Sequence, residues 1–225
     1  MKVRKYSAEY QTREFSLTRE EKNVQINWKF KEGSHFLIFI YDSRYTFELK
    51  PVLERATKAM GSDENIIFFD SRRPFYEESN GVKVFCCSER EFLNNKKTYF
   101  LPGGELKRGV PYTISVYVCV YDEGKKLLQV VEPEGTQNVL HVPVTVHPEI
   151  TYKTKAFSKQ KECFLRLPPL ESYKEGAIMY HVDPLGIDFP LPERCLGKVL
   201  SIMVPKDAEV SVRIRNEYKE FYINV

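Results

Sequence analysis

Residues 106–116 read Leu106-Lys107-Arg108-Gly109-Val110-Pro111-Tyr112-Thr113-Ile114-Ser115-Val116. A charged turn, punctuated by glycine and proline, runs straight into a stretch of β-branched and aromatic side chains. Glycine and proline are turn residues, and the residues after them are those that fit a pleated, half-buried surface. The strand expected over residues 111–121 meets a hairpin signal at Asp122-Glu123-Gly124-Lys125, and residues 126–131 return. Upstream, Val24, Ile26, Trp28 and Phe30 alternate with Gln25, Asn27 and Lys29, which is the period of a strand with one buried face. Residues 35–41 are almost continuously apolar, as a strand covered on both faces would be. Downstream, Leu140, Val142, Val144 and Val146 alternate again, with Pro143 confining that strand to an edge or a bulge.

The remaining segments are read from the same rules. Residues 1–22 are polar, with Val3, Tyr6, Tyr10, Phe15 and Leu17 scattered through them, and predict one or two weak strands. Val52, Leu53, Ala56 and Met60 fall on one helical face between Pro51 and Gly61, so a short helix is expected over 51–60. Strands are expected at 45–49, 66–69, 82–86 and 98–101, with a loop or long hairpin tip over 70–81. His147-Pro148-Glu149 reads as a joint, dividing the chain into an N-terminal domain, 1–147, and a smaller one, 148–225. Beyond it, short apolar stretches at 150–152, 163–167, 177–182, 199–204, 210–214 and 221–225 alternate with turn signals, the pattern of an all-β sandwich or barrel. Residues 183–195 carry three prolines and read as a long loop.

The 106–116 stretch resembles the E–F corner of a fibronectin type III domain. In that family a Leu, a tight turn with Gly and a Tyr six residues after the Leu open strand F, as Leu106, Gly109 and Tyr112 do here. The resemblance implies a tyrosine corner, in which the ring packs under the turn and the hydroxyl bonds back to upstream backbone. Trp28 on an early strand matches the family's core Trp on strand B. The likeness spans residues 20–146, with an excess over 45–97 that reads as insertion. The second half repeats the grammar more faintly, with Val210 standing where the Tyr would be in 204–210. The fold class that follows is all-β: two tandem fibronectin type III or immunoglobulin-like sandwiches, the first with an inserted short helix.

Composition narrows function. The chain has 34 Lys and Arg against 31 Asp and Glu, for a net charge of +3, and mixed signs of that kind are not the clustered basicity of a nucleic-acid binder. No apolar run approaches the roughly 20 residues of a membrane helix. The five cysteines, Cys86, Cys87, Cys119, Cys163 and Cys195, show no C-x-x-C spacing. An odd count with no secretory leader reads as a reduced, cytoplasmic protein with free thiols.

Several residue groups invite a chemical reading. His181-Val182-Asp183 places His and Asp on one strand face, and Cys163 or Cys195 could add a metal ligand, but a site needs more converging groups than these. Cys86-Cys87 would put one thiol in the core and one outside, with no His nearby as base. Neither a cofactor nor a metal is expected. Arg72-Arg73-Pro74-Phe75-Tyr76 is the leading candidate surface, since two guanidiniums beside two aromatics suit carboxylate or phosphate recognition with stacking. Residues 184–192 are unusually apolar for a connection and would cover a core or meet a partner. The expected function is a non-enzymatic interaction or scaffold protein whose partner is another protein. The alternatives are a carbohydrate-binding sandwich and a thiol- or metal-dependent hydrolase.

Overall fold

The computed structural model describes residues 1–225 except 6, 11–12, 21–22, 47, 102–104, 137, 172 and 225. Tyr6 therefore lies outside the described residues, as do the side chains of Phe15 and Leu17. The chain is mostly β-strand arranged in several sheets. It divides into two compact units, Met1–Leu106 with Tyr112–His141, and Lys107–Pro111 with Val142–Val225.

The first unit contains β1 (Lys2–Arg4), β2 (Arg13–Glu20), β3 (Asn23–Lys29), β4 (His35–Asp42), α1 (Leu49–Met60), α2 (Asp63–Ile67), β5 (Tyr76–Glu77), β6 (Lys83–Cys87), α3 (Glu89–Asn94), β7 (Thr98–Leu101), β8 (Tyr112–Asp122), β9 (Leu127–Val131) and most of β10 (Val139–Val142). One sheet has the order β1-β9-β8-β4-β6-β5, with β10 also pairing β8, and a second has the order β2-β3-β7. The β8–β9 hairpin follows the Asp122–Lys125 turn, with Cys119 opposite Val130.

Strand β4 explains its own apolar run. Side chains alternate across a strand, and here each face meets a different layer. Leu37 and Phe39 join Val52, Leu53, Ala56 and Ile66 from the two helices in one core cluster. Phe36 points the other way, edge-on to Trp28 of β3 at 5.0 Å between ring centroids and 5.3 Å from Phe92 of α3. Trp28 stacks on Phe92 at 4.2 Å. Trp28 is thus the core residue its alternating strand called for, and it joins the two sheets.

Three helices among the described residues replace the single one expected. α1 ends at Gly61, whose φ of 76° is the left-handed conformation that suits glycine, with its N–H donating to Thr57 O at 3.0 Å. Residues 66–69 are not a strand. Ser62 caps α2 by accepting from Asn65 N–H, and Ile66 and Ile67 are buried as part of that single turn and a half. A short apolar run fits a buried helix turn as well as a strand. Residues 45–49 are likewise no strand: Tyr45 donates its N–H to Asp42 O in a turn and Leu49 opens α1, while residue 47 lies outside the described residues. α3 starts at Ser88, which accepts from Glu91 N–H. Ser88-Glu89-Arg90-Glu91 has the S-x-x-E spacing of a helix start.

The second unit contains β11 (Val144–Val146), β12 (Glu149–Thr154), β13 (Gln160–Arg166), β14 (Ile178–Asp183), β15 (Ile187–Pro190), β16 (Val199–Pro205), β17 (Glu209–Ile214) and β18 (Tyr222–Asn224). Its sheets run β12-β13-β16 and β15-β14-β17, with β11 parallel to β18. The two three-stranded sheets face each other. Leu165 of β13 meets Ile178 of β14 and Val212 of β17 in one cluster, and Cys163, Val182, Val204 and Val210 form a second. Residues 183–195 are not a long loop. Gly186 turns the chain, donating to Val182 O at 3.0 Å, and β15 pairs back on β14. Gly109 belongs to this unit: its φ is 80°, and a Cβ there would stand 3.3 Å from Pro169 O and Glu171 N. Contacts that close are tight for a Cβ, and the positive φ by itself strains any residue but glycine.

Candidate interaction surface

The Arg72-Arg73-Pro74-Phe75-Tyr76 segment does not present its four candidate residues as one patch. Phe75 is 7% exposed and belongs to the helix-side core. Its N–H donates to Val84 O at 2.9 Å, and its ring lies 6.4 Å from that of Phe69. Tyr76 is half-buried on the same cluster, with its hydroxyl 3.4 Å from Glu78 Oε1. Pairing of β5 with β6 sets Tyr76 opposite Val84 of that cluster, and Phe75 enters the core from the residue before the strand. Arg72 and Arg73 remain outside. Arg72 forks onto Asp70, with Nε 2.9 Å and Nη2 3.1 Å from its two carboxylate oxygens. That guanidinium's hydrogen bonds hold the Asp70 carboxyl below its ordinary range. Contact chemistry at this loop therefore rests on the arginines.

Arg72 adjoins a groove of about 600 Å³ that the sequence did not reveal. Arg72, Arg90, Asn94, Asn95, Tyr99 and Phe100 line it. Its base is fixed by a buried polar relay. The Tyr99 hydroxyl donates to Ser71 O at 2.8 Å, and the Ser71 hydroxyl donates to Glu91 of α3. Burial raises the Tyr99 phenol well above its usual value, so it stays a donor. The walls offer guanidinium and side-chain amide donors, together with the Asp70 and Glu91 carboxylates, beside the exposed ring of Phe100. Asp70 is already engaged by Arg72 and Glu91 by Ser71, so Arg90 and the two amides are the donors left to meet carboxylates or backbone carbonyls of a bound chain. The signal that could have located the groove was the Ser88-x-x-Glu91 helix start, which brings Arg90 and Asn94 beside the Arg72 loop.

His181 is buried on β14, and both its ring nitrogens meet carboxylates: Nδ1 lies 2.7 Å from Asp188 and Nε2 2.9 Å from Asp183. Hairpin register explains the first contact, since His181 pairs with Asp188 across β14 and β15. Cys163 lies in the unit's core and does not reach this cluster. Among the described residues no three His, Cys, Asp or Glu side chains gather as a metal site. The hairpin leaves Leu185, Ile187 and Phe189 exposed, while Leu191 is buried in the core.

Cys86 and Cys87 are both buried, although their side chains leave β6 on opposite faces. The sequence expectation of one exposed thiol fails because helices cover one side of that sheet and the β2-β3-β7 sheet the other. Desolvation, then the neighbouring Cys119 thiol, pushes Cys86 well up, and desolvation followed by Glu91 does the same to Cys87. A thiol held protonated and out of solvent is a poor nucleophile. Cys195 alone among the five free cysteines is not buried. A colorimetric thiol titration of native protein is therefore expected to show one fast group, and five after denaturation without reductant. Two or more fast groups in the native state would contradict this burial.

A scan of protein-family models finds no match to the chain, and a comparison with curated proteins finds none either.

Proposed function

We propose that the chain is a non-enzymatic interaction protein, built from two immunoglobulin-like or fibronectin type III-like sandwiches that present grooves, loops and sheet faces to another protein. The observation that carries this reading is the Arg72–Arg90–Asn94–Asn95 groove, a donor-rich recess mounted on capped helix and paired strand. Strand order supports the sandwich class. In such sandwiches strands A, B and E share one sheet and C, F and G the other. The first unit places β2, β3 and β7 together and β4, β8 and β9 together, with α1 to α3, β5 and β6 inserted between β4 and β7. In the second unit β12, β13 and β16 share a sheet, β14 and β17 the other, and Asn224 of β18 donates to Val212 O of β17 at 2.8 Å.

Two experiments test the reading. Tyr112 is buried at the start of β8, where a tyrosine corner would sit. Tyr112→Phe is expected to cost about 1–2 kcal/mol in urea denaturation, the value of a buried hydroxyl's hydrogen bond. An unchanged midpoint and slope would remove the tyrosine corner. For function, the full chain is used as bait and its stoichiometric partner identified. Arg72→Ala with Arg90→Ala is expected to release that partner while thermal unfolding stays within a few degrees of wild type. Full retention by the folded double variant would exclude the groove as the contact.

A further inference from the structure

The outer face of the β12-β13-β16 sheet carries a pattern that matches itself. Inward residues are fixed by the core clusters: Ile150, Cys163, Leu165 and Val204 all point to the opposing sheet. The alternate residues point outward. Strand register arranges them as three rows of three. The first row is Glu149, Arg166 and Val199, the second Thr151, Phe164 and Ser201, and the third Lys153, Glu162 and Met203. Two contacts confirm that these side chains share the face. Arg166 Nη1 lies 3.8 Å from Glu149 Oε2, and the Ser201 hydroxyl donates to Glu162. Val199 and Met203 are 58% and 59% exposed. Half-buried Phe164 stands at the centre, with the charges confined to the β12 and β13 columns.

We propose that this face pairs with the same face of a second copy of the chain. Consider a two-fold axis lying in the interface and running across the strands along the Thr151–Phe164–Ser201 row. It reverses the strand direction and exchanges the first row with the third. Glu149 then faces the second copy's Lys153, Arg166 faces its Glu162, and Val199 faces its Met203. Phe164 meets its own equivalent at the axis. Every charge on the grid meets its opposite, and the apolar column meets itself. This is the self-complementarity an isologous interface requires. A two-fold about the strand direction would instead set the charged β12 column against the apolar β16 column. Face-to-face sheets packed about 10 Å apart place long Lys, Glu and Arg side chains within reach of one another.

The inference deepens the interaction reading by naming one partner. The nine-residue face is smaller than the roughly 20–30 residues a side of a standard interface, so the pair is weak and concentration-dependent. Sedimentation equilibrium of the full chain, from on the order of 10 µM to 1 mM, should show a monomer–dimer equilibrium that weakens as salt rises. Glu162→Arg alone and Arg166→Glu alone each set two like-charge contacts, one on either side of the axis. Each is expected to raise the dissociation constant about tenfold or more. The double variant, Glu162→Arg with Arg166→Glu, should restore dimerisation. Glu149→Lys with Lys153→Glu provides an independent swap on the exposed edge strand, and circular dichroism checks that each variant folds. A chain monomeric throughout the range, a dimer indifferent to the single changes, or folded double variants that stay monomeric would overturn the pairing. Those results would leave a partner captured through the Arg72 groove untouched, so the two readings fail separately.

Discussion

Phe92→Ala is expected to destabilise the first unit by about 3–5 kcal/mol, the range for deleting a fully buried aromatic whose surroundings cannot collapse. Phe92 is 0% exposed, stacks on Trp28 at 4.2 Å, and meets Phe30 and Phe36 at 5.3 Å each. Those rings come from β3, the segment just after it, and β4, so truncation leaves a void shared by both sheets. The helix that carries Phe92 is short, and its Ser88 cap alone would not hold it in place. A large loss would establish α3 as an integral wall of the core, and with it the position of Arg90 and Asn94 at the groove. Chemical denaturation measures it directly. A loss below about 1 kcal/mol would mean that α3 packs loosely and the groove is not preformed.

Asp63→Ala is expected to cost a similar amount for a different reason. The Asp63 carboxylate is buried at the start of α2. One oxygen lies 2.8 Å from the Met1 ammonium, and the other accepts Leu128 N–H of β9 at 2.7 Å. The ammonium also donates to Thr57 of α1 at 2.9 Å. Removing one member of a buried ion pair strands the other, at about 3–5 kcal/mol. The Leu128 N–H loses its acceptor as well. Asp63→Asn keeps the shape and one acceptor oxygen, and should lose less than alanine does. Equal, small losses for both variants would mean that water reaches this pocket and satisfies the groups left behind.

The sequence carried most of the framework because its strands are long and regularly patterned. Trp28 and the alternation around it placed β3, the apolar run of residues 35–41 announced a strand covered on both faces, and Asp122-Glu123-Gly124-Lys125 fixed the β8–β9 hairpin. Pro143 interrupts the final strand, which splits into β10 and β11 around it. Short elements were harder to read. Ile66 and Ile67 are too few to separate a buried helix turn from a strand, and the six residues of α3 span under two turns, too short for a helical period to show. Only the S-x-x-E spacing at Ser88 marked it.

The candidate site was half legible. Arg72 and Arg73 are exposed as an inserted loop predicts, but Tyr76 pairs with Val84 across β5 and β6 and, with Phe75, packs on the helix-side core. Nothing local in Arg72-Arg73-Pro74-Phe75-Tyr76 states that pairing. The groove beside it draws on residues some 20 positions apart in the chain, Arg72 against Arg90 and Asn94. Such a meeting is a property of packing: the Ser88-x-x-Glu91 spacing marks the helix that carries Arg90 and Asn94 but not its placement beside the Arg72 loop.

Both the interaction reading and the self-pairing face depend on strands that skip the strand following them in the chain and pair with a later one. β3 pairs with β7, placing Ile26 opposite Tyr99, and β13 pairs with β16, placing Phe164 opposite Ser201. Backbone cross-strand nuclear Overhauser contacts in the full chain measure these pairings directly. The expected result is contacts between residues 26 and 99 and between residues 164 and 201, with none that pair β3 to β4 or β13 to β14 as adjacent strands. Contacts that pair β3 with β4 and β13 with β14 in place of these would contradict the two-sheet order of both units, and would remove the three-by-three face along with it.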